Sequence, residues 1–443
     1  MALNKIINQQ WDIFHEPLVD DTVVKYEFKE IRETNVNVSD IKQFEFVTKK
    51  LDSWFYPSES YLDVSVRIVK ENGNNLAATD VATLTNNGFN LFKTAGYVIN
   101  DVLVEKIDHV GIATTITKLI EYSDDYSRSA ARNHFWYKDY NQGKEIHPVA
   151  ASFTAPGTVT LTNNADYNKG FEKRYNRTKN SKLVNMYLPL SELFGFLKEN
   201  RQFFRGASHK ISLERNDDSN MIIRTGNTNF KVVIEYLSWK IPIVAPSIEM
   251  MSVLEKDLVK DRKHNLRWEA CNAYKSDVSQ NKERTWKVIS ERNNPTKVVV
   301  MLQKNEKHNN QLMNNMVFDH MNLTNIELRI NGDKYPEETL KCDFSDEKCK
   351  YSNLYNRFIH MGVKQLAFDT GSVVSMEEFK SVYPLFCFDV SKHESNIYNG
   401  TTADIEVSIT LKDDPVPYNI YCIVYYERKA TLDIINKNMY VSL

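Results

Sequence analysis

Two groups of side chains in this sequence are of types that could support metal-assisted chemistry. Asp124 and Asp125 form an adjacent acidic pair, and His109, His134 and His147 could supply imidazole ligands if a fold brought them together. Adjacent residues on a helix point in different directions, so the two carboxylates do not form a metal pair by proximity alone. A single histidine is more often structural than a ligand. Neither group predicts a metal site.

The five cysteines offer little more for catalysis. All of them lie in the second half of the chain. Cys342 and Cys349 could act as two zinc ligands, but no second pair stands at the spacing of a zinc site. Cys387 has no adjacent histidine to activate it as a nucleophile. A disulfide framework would be denser and would extend through both halves. We therefore expect reduced thiols, no catalytic residue, no metal and no cofactor; the remaining cysteines are Cys271 and Cys422.

Composition and motifs exclude several further classes of function. The sequence contains no phosphate-binding P-loop, no Gly-x-Ser-x-Gly and no His-Glu-x-x-His motif. The formal net charge of −2 argues against a protein that coats nucleic acid with its whole surface. No apolar run has the length of a membrane span, and the first residues lack the apolar core of a secretory signal. These features predict a globular protein that is not secreted.

One basic cluster could bind nucleic acid. Residues 169–182 read KGFEKRYNRTKNSK, and Phe171 and Tyr175 lie among the cations. Aromatic rings between cations can stack on bases while the charges contact phosphates. A solvated loop also accounts for such a composition, and we predict a loop here without sequence-specific contacts to nucleic acid.

The elements that would position these residues are mainly strands. Period-two alternation of apolar and polar residues predicts strands with one buried face. Two other runs, residues 298–302 and 420–426, are apolar on both faces and predict central strands of a sandwiched sheet. Helical spacing is short and rare, around residues 112–120, 190–197 and 248–258. The alternating segments include Leu62, Val64, Val66 and Ile68; Ile326, Leu328 and Ile330; and Ile405, Val407, Ile409 and Leu411.

Four landmarks occur in the same order in both halves of the chain. They are a strand that enters an Asn-Asp or Asn-Gly turn, a short aromatic-containing segment with helical spacing, an apolar stretch around a proline, and a closing pair of long strands. This order predicts a duplicated β unit of about 200 residues. The paired segments are residues 97–101 and 328–332, 116–126 and 351–361, 186–190 and 382–386, and 221–239 and 404–427.

A β unit of this size with few helices favours the jelly roll, whose two packed sheets protect strand edges. The predicted fold class is therefore mainly β, with two tandem jelly-roll β-barrels and a few short helices. Roughly 40 extra residues in the first half are assigned to an inserted surface loop, because long insertions at loop tips cost little free energy. The predicted division is an N-terminal arm at 1–29, a first jelly roll at 30–245 with the inserted loop at about 139–182, a linker helix at 246–259 and a second jelly roll at 260–443.

Several segments resemble the double jelly-roll major capsid proteins of Polinton (Maverick) elements and adintoviruses. The resemblance extends over residues 53–434, and its order and spacing are more specific than any single motif. The chain is short for the family, and residues 266–274 match only loosely. The segments that carry it are 91–106 (LFKTAGYVINDVLVEK), 112–126, 134–139 (HFWYKD), 244–247 (VAPS), 325–336 (NIELRINGDKYP), 385–391 (LFCFDVS) and 419–434 (NIYCIVYYERKATLDI).

The resemblance implies a structural, non-enzymatic protein. In that family two barrels stand side by side in each chain, and three chains form a pseudo-hexameric homotrimer that tiles an icosahedral shell around double-stranded DNA. Neighbouring capsomers, penton proteins and minor capsid proteins are the implied partners. The implied location is the virion, after assembly in the host cytoplasm or nucleus. A carbohydrate-binding or carbohydrate-active β-sandwich protein is the alternative, because jelly rolls also host glycan sites.

The first 20 residues provide a test of the predicted arm. Ile6, Ile7, Trp11 and Phe14 stand among polar residues there, which fits an ordinary first helix or a flexible tail as well as an arm that reaches a neighbouring subunit. We predict that deleting residues 1–20 leaves a folded trimer but impairs shell assembly, as judged by light scattering and electron microscopy. Normal closed shells from the truncated protein would contradict this prediction.

Overall fold

The computed structural model describes residues 22–33, 41–48, 53–144, 168–260, 263–291, 294–362, 371–393, 402–433 and 438–442. Within these residues, eleven strands belong to the first half of the chain and nine to the second. The strands of the first half are β1 Val23–Arg32, β2 Gln43–Val47, β3 Trp54–Phe55, β4 Tyr61–Lys70, β5 Ala82–Leu84, β6 Phe92–Ile99, β7 Val102–Asp108, β8 Val184–Pro189, β9 His209–Arg215, β10 Ile222–Arg224 and β11 Phe230–Pro246.

The strands of the second half are β12 Lys263–Val278, β13 Glu283–Glu291, β14 Asn294–Lys304, β15 Leu323–Ile330, β16 Asp333–Lys341, β17 Phe386–Asp389, β18 Ala403–Leu411, β19 Tyr418–Asp433 and β20 Asn438–Ser442. Short helices lie between them, and several 3-10 turns join the elements. The α-helices are α1 Val110–Glu121, α2 Asp124–Arg128, α3 Lys169–Thr178, α4 Gly195–Glu199, α5 Asp218–Met221, α6 Ile248–Lys260, α7 Ser352–Gly362 and α8 Met376–Ser381.

The two halves share one sheet topology. The first half has sheets with strand orders β1-β11-β4-β8 and β2-β9-β6-β7, and the second half has β12-β19-β14-β17 and β13-β18-β15-β16. Strands that follow one another in the same order along the two halves occupy equivalent positions in the sheets, and all of these pairings are antiparallel. Two packed four-strand paths with these long connections define a jelly roll. The predicted fold class, two tandem jelly rolls, is confirmed.

The predicted hairpin landmarks occupy equivalent places in the two barrels. Asn100 and Asp101 connect β6 to β7 with φ angles of 47° and 62°. Asn331 and Gly332 connect β15 to β16 with φ angles of 53° and 91°. Positive φ at both central residues matches the right-handed twist of the strands, and Asn, Asp and Gly adopt it at the lowest cost.

Burial explains the two kinds of strand pattern. Buried and half-buried residues alternate strictly along β18, because one face lines the second barrel and the other lies nearer to solvent. Strand β19 is buried on both faces over its first nine residues. Its outward face is covered by the first barrel: the Tyr425 hydroxyl lies 2.8 Å from the Thr117 hydroxyl of α1, and the Tyr421 ring packs on His109. The doubly apolar run at 420–426 therefore marks the contact between the barrels.

The element bounds differ from the predicted division at the N-terminal end. The predicted arm ends at residue 29, but β1 runs across that boundary and pairs with β11 from Val23 to Arg32. Charged and aromatic residues alternate from Lys25 to Lys29, but β1 is the end strand of its sheet and has little buried surface. Residues 1–21 of the predicted arm lie outside the described residues.

The structure also differs from the predicted inserted loop. Its described residues contain α3, a helix with Phe171 and Arg174 buried, where the sequence predicted a solvated loop. Residues 145–167 of that stretch lie outside the described residues. The segment predicted as a linker helix at 246–259 holds α6, after which β12 starts the second barrel at Lys263.

Candidate functional site

The segment Trp-Tyr-Lys-Asp at residues 136–139, here called the junction segment, is held on the first barrel by its own first two residues. The indole nitrogen of Trp136 donates a hydrogen bond of 2.9 Å to the hydroxyl of Ser127. The amide of Tyr137 donates one of 2.6 Å to the side-chain oxygen of Asn86. Trp136 is fully buried. Because both bonds lie in the interior, they fix the backbone position of this segment independently of the contacts that its charged residues make.

Asp139 is a fully buried carboxylate that joins both halves of the chain. One oxygen lies 2.7 Å from the guanidinium of Arg174 on α3, and neither side chain is exposed to solvent. The other oxygen accepts a 2.8 Å bond from Asn314, while the Asp139 amide donates to the hydroxyl of Tyr383 at 3.1 Å. Asn168 completes the set from the N-cap of α3, donating to the first oxygen at 2.7 Å. A buried charge needs a partner and several hydrogen bonds, and Asp139 has both.

Lys138 makes the second link between the barrels. Its ammonium lies 2.7 Å from each carboxylate oxygen of Glu378 and donates to the carbonyl of Val373. Burial lowers the pKa of Lys138, and the adjacent Glu378 carboxylate opposes that shift. Glu378 is itself placed by a reciprocal capping box with Ser375 at the start of α8. The ion pair therefore connects the junction segment to a fixed helix end in the second half.

A separate buried cluster surrounds Glu192 within the first barrel. Its carboxylate lies 3.2 Å from the ammonium of Lys118 and 3.2 Å from Nδ1 of His134, and it accepts hydrogen bonds from Tyr122 and Tyr126. Although burial favours the neutral acid, these neighbours hold the pKa of Glu192 well below its usual range. Lys118 also lies over the Phe89 ring, 4.3 Å from its centroid. This cluster ties α1 to the segments on either side of it.

Glu105 on β7 lies where the strand edges of the two barrels meet. Its carboxylate, which is not exposed, accepts hydrogen bonds from the amides of Gly195 and Phe196 at the start of α4, at 3.2 and 3.0 Å. The amide of Cys271 on β12 and the charge of Arg428 on β19 also act on it. Burial raises the pKa of Glu105 to about 7, and these donors oppose the rise.

Two further bonds join β7 to the second barrel. The Asp108 amide donates to the side-chain oxygen of Asn272 at 2.8 Å, and Arg428 donates to the carbonyl of Val104 at 2.9 Å. Gly195 approaches so closely that a Cβ there would lie 1.8 Å from the carbonyl oxygen of Glu269. Helix α4, which begins at Gly195, therefore packs on β12 with no room for a side chain at that point.

The candidate residues from the sequence do not come together as a reactive site. Asp124 pairs with Arg128 at 2.9 Å one turn along α2, while Asp125 is exposed. His109 precedes α1 in a left-handed conformation and packs on Tyr421. His134 belongs to the Glu192 cluster, and His147 lies outside the described residues. No group of three or more His, Cys, Asp or Glu side chains in the described ranges is placed to hold a metal ion.

All five cysteines are free thiols. Burial raises the pKa of Cys342 to about 12, and that of Cys387 also lies well above its usual value because of burial. Cys349 is exposed, and its sulfur donates to the carbonyl of Asp346. A thiolate is the nucleophilic and metal-binding form, so the buried thiols are held in the unreactive state.

Within the same described ranges, no helix has the length and apolarity needed to cross a bilayer.

The basic cluster has a structural role in its described part. Phe171 and Tyr175, the two rings that could have stacked on bases, are 1% and 9% exposed on the inner face of α3. Arg174 on the same face reaches Asp139, and Thr178 bonds to the carbonyl of Ala82 at 3.1 Å. The spacing of residues 171, 174, 175 and 178 is that of one helix face, a sequence signal that the predicted loop overlooks. It would have identified Arg174 as a buried cation in need of a partner.

These contacts define a class of protein in which two jelly rolls are fixed side by side by a buried polar junction. The chain belongs to the double jelly roll-like domain family, whose model matches residues 149–430. No curated protein sequence matches the chain.

Solved structures extend the similarity over the whole chain at the level of fold. A chain in the cryo-EM structure of the Sputnik virophage has a TM-score of 0.64 at 11% identity, covering 100% of this chain and 93% of that one. The mavirus major capsid protein has a TM-score of 0.56 at 13% identity, covering 100% and 96%. The Faustovirus major capsid protein has a TM-score of 0.52 at 9% identity, covering 96% and 92%. Both barrels are therefore matched, in the same arrangement along the chain.

Replacing Asp139 tests the buried junction. We expect Asp139→Asn to destabilise the protein by about 3–5 kcal/mol, because Arg174 would remain as an uncompensated buried charge. Asp124→Asn is the matched control: it removes the exposed pair with Arg128, which is worth about 0.5 kcal/mol or less. Chemical unfolding measures both. Equal, small effects for the two variants would contradict a stabilising junction.

Glu105 predicts a pH dependence of stability. Its pKa is about 7 in the folded protein against 4.5 for the unconstrained group, so the folded state favours the protonated acid. Its contribution is therefore complete below pH 4.5 and is lost as the pH rises toward 7. We expect Glu105→Gln, which cannot ionise, to gain stability relative to the unsubstituted protein across this interval, by about 3 kcal/mol.

Unfolding midpoints measured at several pH values for both proteins check this expectation. Glu45→Gln, an exposed carboxylate on β2, is the control and should show no such trend. A constant difference between Glu105→Gln and the unsubstituted protein from pH 4.5 to 7 would contradict the assignment.

Proposed function

We propose that this chain is a major capsid protein, a structural and non-enzymatic subunit of a viral shell. The observation that carries the proposal is the pair of jelly rolls of identical topology, locked side by side by the junction segment. Such a block has two similar units in a fixed relation, which suits a repeating shell. The fold similarity to two proteins named as major capsid proteins, those of mavirus and Faustovirus, supports it over almost the whole of each chain.

The subunit forms a homotrimer in this proposal. Three chains present six similar barrels, which gives a pseudo-hexameric capsomer from a three-fold assembly, and closed cyclic symmetry is the common solution for identical chains. Pseudo-hexagonal units can then tile the faces of an icosahedral shell. Neighbouring capsomers, penton proteins and minor capsid proteins are the proposed partners, and the virion is the proposed location.

The proposed source is a double-stranded DNA virus or a virus-like element of the Polinton or adintovirus type. The segments that carry this assignment now have structural roles. Residues 91–106 form the hairpin of β6 and β7, and the junction segment lies within HFWYKD. Residues 419–434 include most of β19, which is central to its sheet and contacts the first barrel. Segments in such positions are constrained by packing on several sides, which supports their use as family markers.

Purified full-length protein tests the proposal directly. We expect light scattering to give three times the 51.5 kDa of one chain, and electron microscopy to show pseudo-hexagonal particles or closed shells. A stable monomer at high concentration would contradict the proposal. A monomer that also binds a panel of sugars would favour the alternative of a carbohydrate-binding β-sandwich protein.

A further inference from the structure

The contact between the barrels inside one chain is directional. It joins the strand at one end of a four-stranded sheet, β7, to the strand at one end of a five-stranded sheet, β12. Backbone and side-chain bonds from Asp108, Glu105 and Val104 cross that contact, as described above. One barrel therefore supplies a β7-type edge and the other a β12-type edge, which is a head-to-tail arrangement.

Because the jelly roll is duplicated, one β7-type edge and one β12-type edge take no part in the contact between the barrels of a single chain. By sheet position, β16 is the equivalent of β7, and β1 is the equivalent of β12. Among the described strands, β16 pairs only with β15 and β1 pairs only with β11. Unpaired strand edges tend to recruit another chain unless they are covered. In the part of the chain that the structure describes, one edge of each type is therefore unused, and the two lie on different barrels.

The surface beside β1 has the composition of an interface. Val24, Tyr26 and Phe28 on this strand are 74%, 44% and 46% exposed. Aromatic rings continue from this strand across the sheet. The ring centroid of Phe28 lies 5.4 Å from that of Tyr61, which lies 4.0 Å from that of Tyr187. We call these five residues the aromatic strip. On the second barrel the corresponding outer face, with Tyr421 and Tyr425, is covered by α1 and is 2% and 7% exposed.

We propose that the aromatic strip and the edge of β1 bind the β16 edge of a second copy of this chain. The inference rests on the proposed function and specifies its subunit contact. The same kind of contact, a β7-type edge on a β12-type edge, then alternates within and between chains. In the homotrimer of the proposed function, three chains joined head to tail by this contact form a closed ring, and no edge of either type is left over among the described strands.

Each edge carries charges that can pair with the other. Strand β16 exposes Glu337 and Glu338, the latter 3.9 Å from Arg357 of its own chain, and β1 carries Lys29 and also Lys25, which lies 2.7 Å from Glu27. Complementary charge at the rim of an interface favours the correct pairing and speeds association more than it adds affinity. The aromatic strip supplies the apolar area that the interior of a contact needs.

Substitution within the aromatic strip tests the contact. Phe28→Glu places a charge on a side chain that is almost half exposed, so the monomer should retain its circular dichroism and its unfolding midpoint. We expect it to sediment as a monomer at concentrations where the unsubstituted protein is a trimer. Val416→Glu, in the loop before β19 and 52% exposed, is the control and should remain trimeric. A Phe28→Glu trimer as stable as the unsubstituted one overturns this interface but leaves the proposed function in place. A monomeric unsubstituted protein overturns the function itself.

Crosslinking of the unsubstituted protein tests the same contact without relying on a variant that folds. A carbodiimide joins a lysine amine directly to a carboxylate in contact with it. We expect peptides that link Lys25 or Lys29 to Glu337 or Glu338 in the covalent dimer and trimer, and none in the monomer band. Crosslinked trimers whose β1 lysines are joined only to residues outside β16 overturn the proposed pairing.

Discussion

The buried carboxylate of Asp139 is the interaction on which the arrangement of the two barrels depends. It is bound by Arg174 from α3 and by Asn314 from the second half. The backbone amide of Asp139 also donates a hydrogen bond to the hydroxyl of Tyr383. Loss of any one partner would destabilise the folded protein, because an unpaired charge or donor in the interior costs several kcal/mol. Each of the three segments is therefore held in place by the other two. The junction is a constraint on geometry before it is a source of stability.

The duplication explains why one chain can contain two different environments for the same fold. Both barrels have the same strand orders. The outer face of β19 is apolar because α1 covers it, while the outer face around β1 mixes aromatic and charged residues. Glu30, for example, accepts bonds from both Tyr236 and Lys240 on that face. The two barrels share one topology, and their outer faces differ in composition according to whether another element of the chain packs against them.

The sequence predicted features that depend on local chemistry. The Asn-Asp and Asn-Gly turns, the alternation along β18 and the doubly buried run in β19 all follow from backbone preference and side-chain period. The junction could not be predicted in this way, because Asp139, Arg174 and Asn314 are far apart in the chain and only the fold brings them together. Strand β1 was assigned to the arm although Tyr26 and Phe28 alternate with charged residues there, because this alternation is short and its aromatic side chains are not buried. Helix α3 was missed because its charges concealed the helical spacing of Phe171 and Tyr175.

A polar junction has one property that an apolar one lacks. Two apolar faces can slide or rotate over each other with little loss of buried area, since the hydrophobic effect is not directional. Hydrogen bonds weaken steeply when their angles change, so the contacts of Lys138 with Glu378 and of Asp139 with Asn314 fix the angle between the barrels as well as their distance. In the proposed trimer, ring closure depends on that angle, because an error in one chain is repeated in all three. This requirement accounts for a buried polar network, in which Asp139 and Arg174 are unexposed and the Lys138 and Glu378 side chains are 6% and 14% exposed, at a place where well-packed apolar residues could have given equal stability.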